Sequence, residues 1–186
     1  MKKNIQIHKE STALLVIDIQ DRLYSHVERS CEVFQSVMKI IKGCKILHLP
    51  IFITEQYPEK MGKTLLELRE ELPEEEYSYF SKTGFSCMKS EEFKKEVLAR
   101  PETKWILIGI EAHVCVLQTA KDLVAMGKDV VVLNDAITSR SIYDYSTAIA
   151  EMRDIGVRVS TVETVLFELV ADSKAPEFKA ISGLIK

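Results

Sequence analysis

The chain has 186 residues, and its 25 Lys+Arg against 28 Asp+Glu give a formal net charge of −3. That length suits one compact domain over residues 1–186, and 46% hydrophobic with 28% charged residues is a globular balance that argues against disorder. A mildly acidic chain without a basic block argues against nucleic acid or anionic membrane as main partner, and no apolar run nears the roughly 20 residues that span a bilayer.

Met1-Lys2-Lys3 looks like the charged start of a signal peptide, but His8, Lys9, Glu10 and Asp18 interrupt the apolar segment such a peptide needs. A cytoplasmic protein is therefore expected. Thr12-Ala13-Leu14-Leu15-Val16-Ile17 is a nearly continuous apolar run that stops at Asp18, the pattern of a strand buried on both faces. Val33, Phe34, Val37, Met38, Ile40, Ile41 and Cys44 recur at helical spacing. Pro50 then introduces a short strand, Ile51-Phe52-Ile53-Thr54. Residues 62–71 hold a short helix, and Pro73 with Glu74-Glu75-Glu76 reads as an exposed loop. Ser90 heads a Ser-x-x-Phe-x-x-x-Val pattern, a capped helix ending near Arg100-Pro101.

Alternation follows. Trp105-Ile106-Leu107-Ile108-Gly109 is a strand, Val114 to Met126 a helix closed by Gly127, and Asp129 to Leu133 a strand. Asp144 to Ile155 is a helix closed by Gly156, Val157-Arg158-Val159 a last short strand, and helical pieces surround Val165 and Phe178. This order predicts a doubly wound α/β sheet with helices on both faces. In such sheets working residues lie beyond the carboxyl ends of the strands. No glycine-rich dinucleotide or P-loop motif occurs; Asp18-Ile19-Gln20-Asp21-Arg22 follows the first strand instead.

Three residues invite a chemical reading. Cys115 falls in the first turn of a helix after a buried strand, where the helix dipole and unpaired N–H groups lower a thiol pKa and offer an oxyanion site; it reads equally as a small buried hydrophobe. Asp18, at the end of an apolar strand, is either a turn-capping aspartate or a buried, paired one. Lys82, within Phe80-Ser81-Lys82-Thr83-Gly84-Phe85, reads on its own as a solvated lysine. Together they make chemical sense: a carboxylate removes the thiol proton, the thiolate attacks a carbonyl, and an ammonium offsets the negative charge.

Leu15-Val16-Ile17-Asp18-Ile19-Gln20, Phe80-Ser81-Lys82-Thr83 and Gly109 through Ala120, with Asn134 to Arg140 and Thr54 to Pro58, resemble the isochorismatase-like cysteine hydrolases, closest to the small "isochorismatase domain-containing" branch. The resemblance runs from Leu14 to about Phe178. It implies a three-layer, Rossmann-like fold with six mostly parallel strands, a triad of Asp18, Lys82 and Cys115, and a non-proline cis peptide at Ile110–Glu111. It also implies an oxyanion hole from the backbone N–H groups of Glu111 and Cys115, and hydrolysis of a small amide or related carbonyl compound through a thioester. Nicotinamidases of this superfamily place Asp and paired His ligands after the second strand; here that stretch, Ile53 to Pro58, holds no histidine, so neither metal nor cofactor is expected. Isochorismatases proper lack a cysteine nucleophile, so Cys115 argues against isochorismate as substrate.

Gln20, Glu55, Gln56, Tyr57 and Phe80 are further pocket candidates, with Phe85 weaker, and His113, two residues before Cys115, is a possible substrate contact. Asp135 and Arg140 read as loop-shaping or subunit-contact residues, and Cys31, Cys44 and Cys87 as packing or surface thiols. Two other readings stand beside hydrolysis: a non-catalytic binding or scaffold member of the fold, and a redox-sensing Cys115 with Cys87 as resolving thiol. The expected partners are a small-molecule substrate and further copies of the chain, without nucleic acid or membrane.

Overall fold

The computed structural model describes residues 5–186, so Met1-Lys2-Lys3 lie outside the described residues. The chain runs β1 (Thr12–Ile17), α1 (Asp21–Tyr24), α2 (Ser30–Ile46), β2 (Ile51–Gln56), α3 (Pro58–Met61), α4 (Leu66–Glu71), β3 (Ser78–Lys82), α5 (Glu91–Ala99) and β4 (Lys104–Ile110). After one π-helical turn, Ala112–Val116, come α6 (Leu117–Ala125), β5 (Asp129–Thr138), α7 (Ile142–Asp154), β6 (Arg158–Ser160), α8 (Val162–Val170) and α9 (Phe178–Ile185). The six strands pair in the order β3-β2-β1-β4-β5-β6, every neighbour parallel.

Period-two alternation explains the three layers. Leu14, Val16, Ile51, Ile53, Ile106 and Ile108 face one side, where α2, α8 and α9 supply Val37, Ile40, Ile41, Val165, Leu166 and Ile181. Ala13, Leu15, Ile17, Phe52, Trp105 and Leu107 face the other, covered by Phe93 and Val97 of α5, Ala120 and Leu123 of α6, and Met152 of α7. Both faces being covered, each central strand is apolar throughout, which is why these runs show no alternation in the sequence.

The structure adds one strand that the sequence pattern left unassigned and corrects two expectations. Residues 78–82 form the edge strand β3, which its polar, half-exposed sequence Ser-Tyr-Phe-Ser-Lys concealed. β5 continues to Thr138 instead of ending at Leu133, because a register shift between Leu107 and Gly109 lets its second half pair with the end of β4. Ser90 stands at the N-cap of α5, but its side chain accepts no capping hydrogen bond; Ser86 does so for the preceding turn, taking the Met88 N–H.

The shift centres on Gly109, at φ +127°, where a Cβ would stand 2.0 Å from the Ile17 carbonyl oxygen. β1 and β4 approach this closely where the chemistry-bearing residues leave the sheet. Gly109→Ala is accordingly expected to cost at least about 3 kcal/mol of stability or to prevent folding. Gly127→Ala, with φ +78° and open space around it, should lose only about 1–2 kcal/mol. Guanidinium unfolding of the two variants checks the contrast.

Candidate active site

Four chain segments converge on the carboxyl ends of β1 to β4. Asp18 follows β1 directly with φ +52°, fully buried, its backbone N–H donating to the Thr54 carbonyl at 3.1 Å. Thr54 and Gln56 lie on the same face of β2 as Phe52, and Lys82 pairs in register with Gln56, so these side chains share one side of the sheet. Cys115 comes from the π-helical turn after β4, a local widening of the helix that is frequent at functional sites.

The Lys82 ammonium donates to Asp18 Oδ2 at 2.6 Å, and both side chains are wholly buried. It also donates to Gln56 Oε1 at 2.6 Å, to the carbonyls of Phe85 at 2.9 Å and Gly84 at 3.3 Å, and reaches Cys115 Sγ at 3.6 Å. The second carboxylate oxygen, Asp18 Oδ1, accepts the Thr54 hydroxyl at 2.8 Å. Burial opposes the charge on Lys82, but the Asp18 carboxylate beside it prevails and raises its pKa, so the lysine stays an ammonium. Burial and then Asp18 push the Cys115 pKa upward, with Lys82 opposing. The lowering anticipated from the helix terminus is therefore reversed: the thiol is buried against a carboxylate, and the resting site holds a protonated thiol beside an intact ion pair.

The other candidates disperse. Gln56 clamps Lys82. Gln20 is wholly buried as a strap, its amide donating to the carbonyls of Gln56 at 3.1 Å and Gly62 at 2.6 Å while its Oε1 accepts the Gln56 N–H at 2.7 Å. Glu55 points to the opposite face of β2, where it accepts the Thr64 N–H at 2.7 Å and hydroxyl at 2.9 Å. Strand alternation thus turns Glu55 away from Lys82, whereas Gln20, which lies beyond β1, meets the site only through Gln56. Phe80 packs on Phe52 and Phe93. His113 turns away to Ser139 Oγ at 3.0 Å and a shallow surface depression beside Tyr143. Tyr57 lines a cleft of about 720 Å³ outside the edge strand. That cleft touches Lys82 but does not reach its ammonium, since the lysine side chain has no exposure. A second cleft, about 290 Å³, opens over Glu111. The peptide Ile110–Glu111 is cis, as the resemblance implies.

Asp135 accepts the Val162 N–H at 3.0 Å and so shapes the start of α8. Among the remaining thiols Cys31 is exposed and Cys44 buried. Cys87 was undervalued. Its Sγ lies 3.5 Å from the Thr54 hydroxyl, and burial, then Asp18, raise its pKa to about 11. Only the topology, which lays β2 beside β1, brings Thr54 and Cys87 to the site; no spacing in the chain signals it. Among the described residues no group of three or more His, Cys, Asp or Glu is placed to hold a metal ion, and no helix is long and apolar enough to cross a membrane.

A parallel, doubly wound sheet with a carboxylate, an ammonium and a thiol gathered at its carboxyl edge defines an α/β protein of hydrolase fold. The chain belongs to the isochorismatase family: the isochorismatase domain matches residues 12–164. Isochorismatase domain-containing protein 2 of Bos taurus is 36% identical over 95% of this chain and 83% of its own. The solved MAR1 ribonuclease from Caenorhabditis elegans is 36% identical over 97% of this chain and 92% of that one, with TM-score 0.92. YcaC from Pseudomonas aeruginosa, solved with hexane-2,5-diol and covalent acrylamide, is 26% identical over 96% and 91% with TM-score 0.88. The Escherichia coli YcaC gene product, described as an octameric hydrolase of unknown specificity, shares the fold at 24% identity over 100% and 91%, TM-score 0.92.

The arrangement yields opposite thiol responses. Asp18→Asn removes the charge that raises the Cys115 pKa and should speed its alkylation by iodoacetamide at pH 8. Lys82→Met removes the opposing charge and should slow it. Either variant leaves one buried charge unpaired and should lose about 3–5 kcal/mol of stability. Peptide-resolved mass spectrometry on protein checked for native circular dichroism reads both rates.

Proposed function

We propose that the protein is a cysteine-dependent hydrolase of a small amide or related carbonyl compound. The observation that carries this reading is the Lys82 ammonium standing at once 2.6 Å from Asp18 Oδ2 and 3.6 Å from Cys115 Sγ, inside the sheet edge. Asp18 takes the thiol proton as Sγ bonds to the substrate's carbonyl carbon. The negative charge moves from Asp18 to the carbonyl oxygen, where the N–H groups of Glu111 and Cys115 receive it. As the tetrahedral intermediate collapses, Asp18 returns the proton to the departing nitrogen, the C–N bond breaks, and a thioester remains. Asp18 then takes a proton from water as the hydroxyl adds to the thioester carbon. Loss of Sγ, reprotonated by Asp18, releases the acid and restores the resting site. Thr54, Gln56 and the carbonyls of Gly84 and Phe85 hold the base and the ammonium in place.

Covalent acrylamide in the Pseudomonas aeruginosa relative supports a reactive nucleophile in this family. The name ribonuclease attached to the Caenorhabditis elegans relative suggests another substrate. A net charge of −3 and a site built for attack at a carbonyl carbon favour the amide for this chain. The proposal extends to one functional domain acting without metal or cofactor in the cytoplasm, where the free thiols stay reduced. It also extends to a homo-oligomer, supported by Tyr143 and Ile142, 81% and 49% exposed at the head of α7, and by the octameric description of the Escherichia coli relative.

The test is ammonia release from a panel of small primary amides. Cys115→Ala should lose activity by at least about 10³-fold while keeping its melting profile, and intact-mass analysis of the wild type should trap an acyl adduct absent from the variant. Wild-type turnover by Cys115→Ala would overturn the mechanism.

A further inference from the structure

The strand order fixes where a ligand belongs. From β1 the chain winds outward through β2 and β3, then returns to the other side of β1 and winds outward through β4, β5 and β6. The direction reverses between β1 and β4, and parallel sheets bind ligands in the crevice beyond the carboxyl ends of the strands at that point. Asp18 leaves β1 there, and the Glu111-to-Cys115 turn leaves β4 there. The cleft at this crevice holds about 290 Å³ and is lined by Arg22, Leu23 and His26 from the segment after β1, Met61, Glu111 at the end of β4, and Arg140 after β5. Its size is at the small end of ligand sites, roughly 300–1,000 Å³.

Its charge is unusual for a chain that is acidic overall. Arg140 Nε donates to Glu111 Oε1 at 2.8 Å, so these two charges cancel. His26 is engaged through Nδ1, which lies 2.7 Å from the Arg22 carbonyl and 3.0 Å from Ser25 Oγ. The Arg22 guanidinium, by contrast, has no hydrogen bond, ion pair or ring contact among the described residues. The cleft thus carries one uncompensated positive charge, a planar fork suited to a carboxylate, beside the peptide that leads into the reactive turn.

We propose that this cleft admits the substrate and selects amides bearing a second group that is a carboxylate monoanion, bound by Arg22, with Leu23 and Met61 against the short chain between the two ends. The inference rests on the hydrolase reading above and deepens it. The amide end lies toward Cys115 and the carboxylate end toward solvent, so hydrolysis of such an amide by water gives a dicarboxylate and ammonia.

A matched pair tests it: succinamate, with one amide and one carboxylate, against neutral succinamide. Wild type should favour succinamate in kcat/KM by about tenfold or more, Arg22→Gln should bring the ratio near unity, and Arg22→Lys should restore part of it. Equal use of both compounds, or a preference that survives Arg22→Gln, overturns the anion site while leaving the hydrolase intact. If neither compound is hydrolysed, calorimetric binding to the Cys115→Ala protein decides separately from catalysis. Succinamate bound at least about tenfold more tightly than succinamide, with the difference lost in the added Arg22→Gln background, upholds the site. Failure to discriminate the two, including failure to bind either, overturns it.

Discussion

The buried contact between Asp18 and Lys82 is the constraint on which the rest of the structure turns. Two opposite charges without solvent exposure cost several kcal/mol each to desolvate, and their mutual attraction repays this only when the remaining donors and acceptors are also satisfied. Here they are. Thr54 serves one carboxylate oxygen, while Gln56 Oε1 and two carbonyls after β3 share the ammonium. Thr54 and Gln56 come from β2 and the two carbonyls from the turn after β3, so satisfying one ion pair fixes the relative positions of β1, β2 and β3.

That demand explains several local oddities at once. Asp18 takes a left-handed backbone conformation that lets it leave the strand and still donate its N–H to β2. Gln20, two residues on, spends its whole amide on the backbone of Gln56 and Gly62, so the residue that clamps Lys82 is itself strapped to β1. On the other side of β1, Gly109 permits a backbone approach to Ile17 that any side chain would block, drawing the end of β4 and the turn that carries Cys115 against Asp18.

How much of this was legible in the chain follows from the physics of each signal. The central strands announced themselves because parallel strands buried on both faces are apolar without interruption, and Asp18 was conspicuous as the charge that ends such a run. Glycines after two helices marked their ends. β3 was not legible, since an edge strand exposes its polar residues and its sequence resembles a loop. Lys82 was visible only through the family motif, because nothing in a lone lysine distinguishes an ammonium sealed against a carboxylate from one in water. Spacing alone does not tell that Glu55 looks to the face of β2 opposite Lys82, nor that Gln20 acts one step back, through Gln56. The thiol pKa was misjudged for a related reason: a helix terminus lowers it, but burial and a carboxylate, both tertiary effects, are larger.

The same pair gives the proposed reaction a simple electrostatic logic. At rest the site holds a carboxylate, an ammonium and a neutral thiol, and its net charge is zero. When the thiol proton passes to Asp18 and Sγ bonds to carbon, the negative charge leaves the carboxylate and appears on the carbonyl oxygen, while Lys82 remains positive. The net charge is still zero. A poorly solvated site thus avoids the large cost of creating an isolated charge, because the ammonium offsets one anion before the step and another after it. A free thiolate poised beside Asp18 would instead place two anions against one cation, the arrangement that the raised thiol pKa avoids. On this reading Lys82 need not touch the substrate to matter: its contribution is to keep the charge of the site constant while the proton moves.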